Sequence, residues 1–256
     1  MPLLQVQDMT HEFGGLRAVN HYHLQIEPGQ VRGLIGPNGA GKTTIFNLLT
    51  GIYRPTGGSV KLDGREIVGL HPHQIASLGL GRTFQNLQLW RHMTVLEHVK
   101  MARYSKITYG LMGALFGTSK RHKEEKEIEE RARSFLNLVG VLPLADQIVG
   151  NLPYGAQRRV ELARALATEP KVLFLDEPTA GMNPEELMQM MEIIRKVHNE
   201  VGFAILMIEH RLKMVMELCQ IVQTLVFGEV IAEGTPEEIQ DDPRVVEAYL
   251  GKETMH

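Results

Sequence analysis

The run Gly36, Pro37, Asn38, Gly39, Ala40, Gly41, Lys42, Thr43 and Thr44 leads small, flexible positions into one cation and two hydroxyls. The apolar segment Val31 to Ile35 precedes it, and Ile45-Phe46-Asn47-Leu48-Leu49 follows with a helical pattern. Strand, glycine-rich loop and helix in that order make a phosphate cradle. The glycines let several backbone N–H groups converge on one anion, and the helix starting at the loop's end adds its positive dipole. Lys42 has the reach for β- and γ-phosphates, and the Thr43 hydroxyl can ligate Mg2+. The expected chemistry is that of a nucleoside triphosphate with its metal.

A second group carries charge of the opposite sign. Val172-Leu173-Phe174-Leu175 reads as a buried strand that ends in two adjacent carboxylates, Asp176 and Glu177. Strand ends at the C-terminal edge of an open α/β sheet face the ligand crevice. Asp176 is expected to hold Mg2+ through water beside Thr43. Glu177 is expected on the opposite side of the chain, polarising the attacking water.

These groups need a scaffold, and the chain has the length for one. It has 256 residues, 43% hydrophobic and 22% charged, with a net charge of −3. That balance gives no electrostatic reason to expect nucleic acid. Cys219 is the single cysteine, which excludes an internal disulfide and a thiolate metal cluster and fits a reducing compartment. The start, Met1-Pro2-Leu3-Leu4-Gln5, has neither a basic region nor an extended apolar run, so no signal peptide is expected. No apolar run approaches the roughly 20 residues that span a bilayer. The nearest, Ile107 to Phe116, is broken by Gly110 and Gly113 and reads as packing within the helical insertion, with contact to a membrane subunit as the alternative.

Periodicity predicts strands at Leu3–Asp8, Val19–Ile26 and Ser59–Leu62 around the phosphate loop, the last turning at Asp63-Gly64. Thr94-Val95-Leu96-Glu97 is a capping box opening a helix toward Tyr104, and residues 122–139 carry a helical apolar stripe opposite a solvated, charge-mixed face. The last third alternates strand and helix: strand Lys171–Leu175, helix Pro184–Asn199, strand Phe203–Ile208, helix Arg211–Cys219, then a hairpin through Gly228-Glu229 and two short tail helices. This predicts an α/β fold with a mainly parallel core sheet, an N-terminal antiparallel β subdomain and an inserted α-helical subdomain. One domain is expected over 1–235, with core 1–85 and 160–235, an insertion at about 86–159, and a helical tail at 236–256. His21-x-His23 and His71-x-His73 have metal-like spacing without a cysteine or carboxylate cluster beside them in the sequence, and are read as structural.

The phosphate loop, Gln85, Leu173-Phe174-Leu175-Asp176-Glu177-Pro178-Thr179 and Glu209-His210 stand in an order and spacing that resembles the ATP-binding cassette (ABC) ATPases, across essentially the whole chain. The resemblance implies ATP and Mg2+ as cofactors and the P-loop NTPase fold. It implies that Gln85 senses Mg2+ and the γ-phosphate, that His210 touches the γ-phosphate, and that Phe13 stacks on adenine. The family's signature, Leu-Ser-Gly-Gly-Gln, falls on Leu152-Pro153-Tyr154-Gly155-Ala156, followed by Gln157. Tyr154, Gly155, Ala156 and Gln157 are thereby expected to face the nucleotide of a second ATPase subunit. This chain departs from the pattern in having Pro153 for serine, Tyr154 for glycine, and Asn183 where the family usually has aspartate. The segments Phe13–Val19, Arg82–Gln85, Tyr154–Arg159 and Gly234–Ile239 look most like the LivG-type ATPases of branched-chain amino acid importers. Urea-importer and lipopolysaccharide-exporter ATPases share much of that pattern. The implied partners are a second ABC ATPase subunit in a homo- or heterodimer, two membrane permease subunits and, indirectly, a solute-binding protein. The implied place is peripheral, on the cytoplasmic face of the inner membrane. A soluble, non-transport ABC ATPase is the rival from another class, but such proteins usually carry two cassettes or a long coiled coil, and neither is visible here.

Overall fold

The computed structural model describes residues 1–85, 87–106 and 119–250. The stretch Ile107–Phe116 and the end of the tail lie outside the described residues. The chain divides into two compact units, Met1–Arg82 with Lys171–Pro178 and His198–His256, and Thr83–Pro170 with Thr179–Val197.

The first unit holds two sheets. β1 (Leu4–Phe13) and β2 (Leu16–Ile26) form an antiparallel hairpin, and β4 (Gly57–Leu62) and β5 (Arg65–Glu66) extend it in the order β2-β1-β4-β5. β1 runs five residues beyond the predicted Asp8. The register shifts between Val6 and Met9, where Asp8 adopts φ 56°, so the alternation changes phase in mid-strand. Val6 and Met9 are buried on either side of this bulge, and Phe13 emerges at the strand's exposed end.

The second sheet has six strands. β3 (Val31–Ile35), β6 (Leu80–Arg82), β7 (Val172–Asp176), β8 (Ala204–Ile208), β9 (Ile221–Val226) and β10 (Glu229–Gly234) stand in the order β10-β9-β3-β8-β7-β6. Only the β9–β10 pair is antiparallel. Every residue of β3, β7 and β8 is buried, as parallel strands covered on both faces require. Their apolar side chains meet α1 (Lys42–Leu49) and the first sheet in one cluster containing Ile45, Phe46, Leu49, Phe174, Leu206 and Ile208. The Phe46 and Phe174 rings lie 4.8 Å apart, which fastens α1 to β7; such a pair contributes about 1 kcal/mol beyond its burial. The β9–β10 turn falls on Phe227-Gly228, with φ 47° and 83°, rather than on Gly228-Glu229. Two successive positive φ values match the right-handed twist of the strands they join. The tail forms α8 (Pro236–Asp241) and α9 (Pro243–Leu250), after α7 (Leu212–Leu218).

Two elements of this unit have weak sequence signals. β6 is three residues long and contains Gly81. α2 (Pro72–Ser77) is one and a half turns, yet its start carries a proline at the first position and a reciprocal His71/Gln74 cap.

In the second unit, α3 (Val95–Arg103) opens with the predicted box: Glu97 N–H donates to Thr94 Oγ1 at 3.2 Å, and Thr94 N–H donates to Glu97 Oε2 at 2.7 Å. α4 (Ser119–Leu138) buries Ile128, Ala132, Phe135 and Leu136 on one stripe, while i,i+4 pairs such as Lys123–Glu127 occupy its solvated face. α5 (Tyr154–Leu166) packs against both α3 and α4. α6 (Pro184–Val201), of which Pro184–Val197 belongs to this unit, buries Leu187, Met190, Met191, Ile194 and Val197. Asn183 caps its start: Oδ1 accepts from Glu185 N–H at 3.0 Å and Glu186 N–H at 2.9 Å, and Glu186 Oε2 accepts from Asn183 N–H at 3.1 Å. Asparagine caps a helix as well as aspartate does, so Asn183 preserves this local structure.

Candidate nucleotide-binding site

The loop between β3 and α1 owes its shape to glycine and to distant backbone. Gly36 has φ 148°, and a Cβ there would overlap the Leu225 carbonyl oxygen. Gly41, the residue before α1, has φ 107°, and a Cβ would stand 2.6 Å from the Ala18 oxygen. Gly228 N–H donates to Ala40 O at 2.8 Å, and Asn20 N–H donates to Gly228 O at 2.9 Å, so β2 and the β9–β10 turn brace the loop together. Lys42 is buried, with Nζ donating to the oxygens of Gly36 at 2.6 Å and Pro37 at 2.9 Å. The ammonium is thus held inside the loop. Asn38, Gly39, Thr43 and Thr44 all retain solvent access.

The ends of β3, β8 and β7 share one edge because these strands are adjacent and parallel. That edge carries the loop, His210 and the pair Asp176–Glu177. Asp176 is 2% exposed, and its Oδ2 accepts from Arg82 Nη2 at 2.8 Å. The other terminal nitrogen of Arg82 donates to Asn47 Oδ1 at 2.8 Å and Thr50 Oγ1 at 3.2 Å, both near the end of α1. Arg82 therefore ties the carboxylate to the helix that follows the loop. In the sequence Arg82 stands out only as the first residue of the segment Arg82–Gln85; its tie to Asp176 and to the end of α1 has no local signal. Glu177 has φ 46°, donates its N–H to Ile208 O at 3.0 Å, and turns its carboxylate to His210 Nε2 at 2.7 Å. Glu209, also buried, accepts from His210 N–H at 3.0 Å and Arg211 N–H at 3.2 Å, and so fixes the turn that presents His210.

Phe13 is 43% exposed, with an edge-on contact to His11 at 4.5 Å and to Tyr53 at 5.4 Å. Its environment is a surface aromatic group, open for a further ring to stack. His21 and His23 both approach Asp8 Oδ1, at 2.5 and 3.9 Å, which the sequence did not foretell; among the described residues no group of three side chains is arranged to hold a metal.

Gln85, Tyr154, Gly155, Ala156 and Gln157 belong to the second unit. Gln85 lies three residues past β6, and its backbone oxygen accepts from Arg158 Nη2. Tyr154 opens α5 with its ring partly exposed; Gly155 and Ala156 are buried, and Gln157 Nε2 donates to Leu152 O at 2.8 Å.

A family model described as ABC transporter matches residues 19–180. The chain belongs to the ABC transporter family. A second model, described as branched-chain amino acid ATP-binding cassette transporter, matches the cassette at residues 229–254. The cassette is 45% identical to the high-affinity branched-chain amino acid transport ATP-binding protein BraF of Pseudomonas aeruginosa, covering 98% of each chain. It is 43% identical to LivG of Escherichia coli K12, again over 98% of each. A crystal structure of the ADP conformation of an ATP-binding cassette of an ABC transporter superposes on it with a TM-score of 0.85, at 31% identity, covering 98% of this chain and 99% of that one. The α/β fold with a mainly parallel core sheet and an antiparallel N-terminal sheet is that of the ABC ATPases.

Proposed function

We propose that this chain binds ATP and Mg2+ and hydrolyses the nucleotide to power a membrane importer of branched-chain amino acids. The observation carrying this reading is the shared sheet edge, where the Lys42 loop, the Asp176–Glu177 pair and His210 follow three neighbouring parallel strands. The relatives' names, and the family model matching the tail, favour amino-acid import over urea import, lipopolysaccharide export or a non-transport role.

The backbone of Gly36 to Gly41 cradles the β- and γ-phosphates, Lys42 neutralises them, and Thr44 closes the loop. Phe13 offers its face to adenine. Thr43 and Asp176 supply hard oxygen donors of the kind Mg2+ takes, and they would hold it; the Gln85 side-chain amide carries a donor oxygen of the same class. The bound metal would neutralise charge on the phosphates. Glu177 orients and polarises water, and His210 holds the γ-phosphate and, through its 2.7 Å contact, the Glu177 carboxylate. Tyr154, Gly155, Ala156 and Gln157 face the nucleotide of a second ABC ATPase subunit. Closure of the pair on ATP, and reopening after hydrolysis, would move two permease subunits served by a solute-binding protein. Among the described residues no helix is long and apolar enough to cross a membrane, in keeping with peripheral attachment at the cytoplasmic face of the inner membrane.

The test is uptake of labelled leucine by cells expressing this chain with its permease subunits. Wild-type chain supports uptake and Lys42→Ala abolishes it. Equal uptake by both removes the reading.

A further inference from the structure

The departure at Tyr154 has its own architecture. The tyrosine hydroxyl donates to the Ala180 oxygen at 3.0 Å and accepts from Arg158 Nε at 2.9 Å. Its ring lies against Gly181, where a Cβ would stand 3.4 Å from Tyr154 Cε1, and the Arg158 guanidinium sits 5.3 Å from the ring centroid. Tyr154 and Arg158 are four positions apart on α5, so they share a face.

Arg158 carries the connection further. Nη1 donates to the Phe84 oxygen at 2.9 Å and to Glu161 Oε2 at 3.0 Å, and Nη2 donates to the Gln85 oxygen. Glu161 Oε1 accepts from Phe84 N–H at 3.4 Å, so Phe84 is gripped on both sides of its backbone. The Arg158 and Glu161 side chains are only 3% and 2% exposed, and hydrogen bonds between buried ions and carbonyls are among the strongest a protein makes. Glycine at 154 would leave Arg158 Nε and the Ala180 oxygen without these bonds.

We propose that Tyr154 is a positioning residue: its phenol locks the Ala180–Gly181 loop and, through Arg158, the backbone carrying Gln85 into one arrangement. This rests on the reading that Gln85 serves hydrolysis. The tyrosine thus makes the start of α5 a junction between two loops of its own chain, in a signature that lacks the usual serine hydroxyl.

Hydrogen exchange on the full-length chain without nucleotide, comparing wild type with Tyr154→Phe and Arg158→Lys, tests it. Tyr154→Phe removes one oxygen and keeps the ring; Arg158→Lys keeps the charge beside Glu161 and loses the Nε donor. Both are expected to exchange about fivefold faster in the peptides covering 83–85 and 179–182, with the thermal midpoint shifted by only a few degrees. With MgATP, kcat is expected to fall about tenfold while KM stays within about twofold. Unchanged exchange in either segment, or an unchanged kcat in Tyr154→Phe, overturns the proposal. A wild-type chain that binds no MgATP defeats the proposed function instead, and the exchange comparison still decides the role of Tyr154.

Discussion

Glu177 Oε1 lies 2.7 Å from His210 Nε2 across 33 positions of sequence. The cause is the register of two parallel strands. Asp176 pairs with Ile208, so the residues just beyond β7 and β8 emerge side by side. The left-handed turn at Glu177, φ 46°, then aims its carboxylate at the imidazole.

Glu177→Gln is expected to retain MgATP binding and lose turnover by roughly 10²–10⁴-fold, the range for a general base. The trapped closed dimer should elute earlier on size exclusion with MgATP. His210→Ala should also lower turnover, and the double variant should be little worse than Glu177→Gln alone, because contacting residues do not act additively. Normal hydrolysis by Glu177→Gln removes that residue from its role.

The phosphate loop should respond unequally to single methyl groups. A Cβ at Gly36 collides with Leu225 backbone, whereas one at Gly39 meets nothing within 4 Å and suffers only the strain of φ 81°. Calorimetry with MgATP should therefore find binding abolished in Gly36→Ala and merely weakened in Gly39→Ala. Equal affinities would show that the Leu225 backbone does not confine the loop at Gly36.

Arg82 and Asp176 form an ion pair with side chains 7% and 2% exposed. Removing one partner of a buried pair costs about 3–5 kcal/mol, because the other charge is left desolvated. Arg82→Ala should thus shift the urea midpoint substantially downward. A shift equivalent to less than about 1 kcal/mol would show that Asp176 finds compensation elsewhere.

Burial, aided by the nearby Glu209 charge, pushes the Cys219 thiol up from 9.0 to about 12. A raised acid pKa favours the folded state below the unfolded value and loses that benefit as pH climbs toward 12. Iodoacetamide at pH 8 should accordingly label the native chain about a thousandfold more slowly than the urea-unfolded chain. Comparable rates would mean the thiol is accessible.

Much of this was readable in the sequence because the decisive groups are contiguous. Gly36 to Thr44 and Asp176-Glu177 each lie within one turn and the strand before it, and the buried runs of β3 and β8 announce themselves by apolarity alone. The helices at 95, 119 and 184 showed through caps or apolar stripes. The rest is tertiary. Nothing local says that β7 and β8 are neighbours, so the Glu177–His210 contact had no signature, nor did the reach of Arg82 to Asn47. β6 gave no period because three residues are too few, and the bulge at Asp8 hid the far half of β1 by reversing its alternation. Tyr154 was visible only as a departure; its meaning depended on Ala180 arriving beside it.

The bond from Gly228 to Ala40 bears on how such a motif can be reused. The cradle's outline is set by β2 and by a turn 188 positions further along the chain (228 − 40), so it is not a portable peptide. A graft of residues 31–50 into another scaffold would carry the letters of the motif without the walls that mould it, and a designer who wants the anion site must transplant the β9–β10 corner and the middle of β2 along with it.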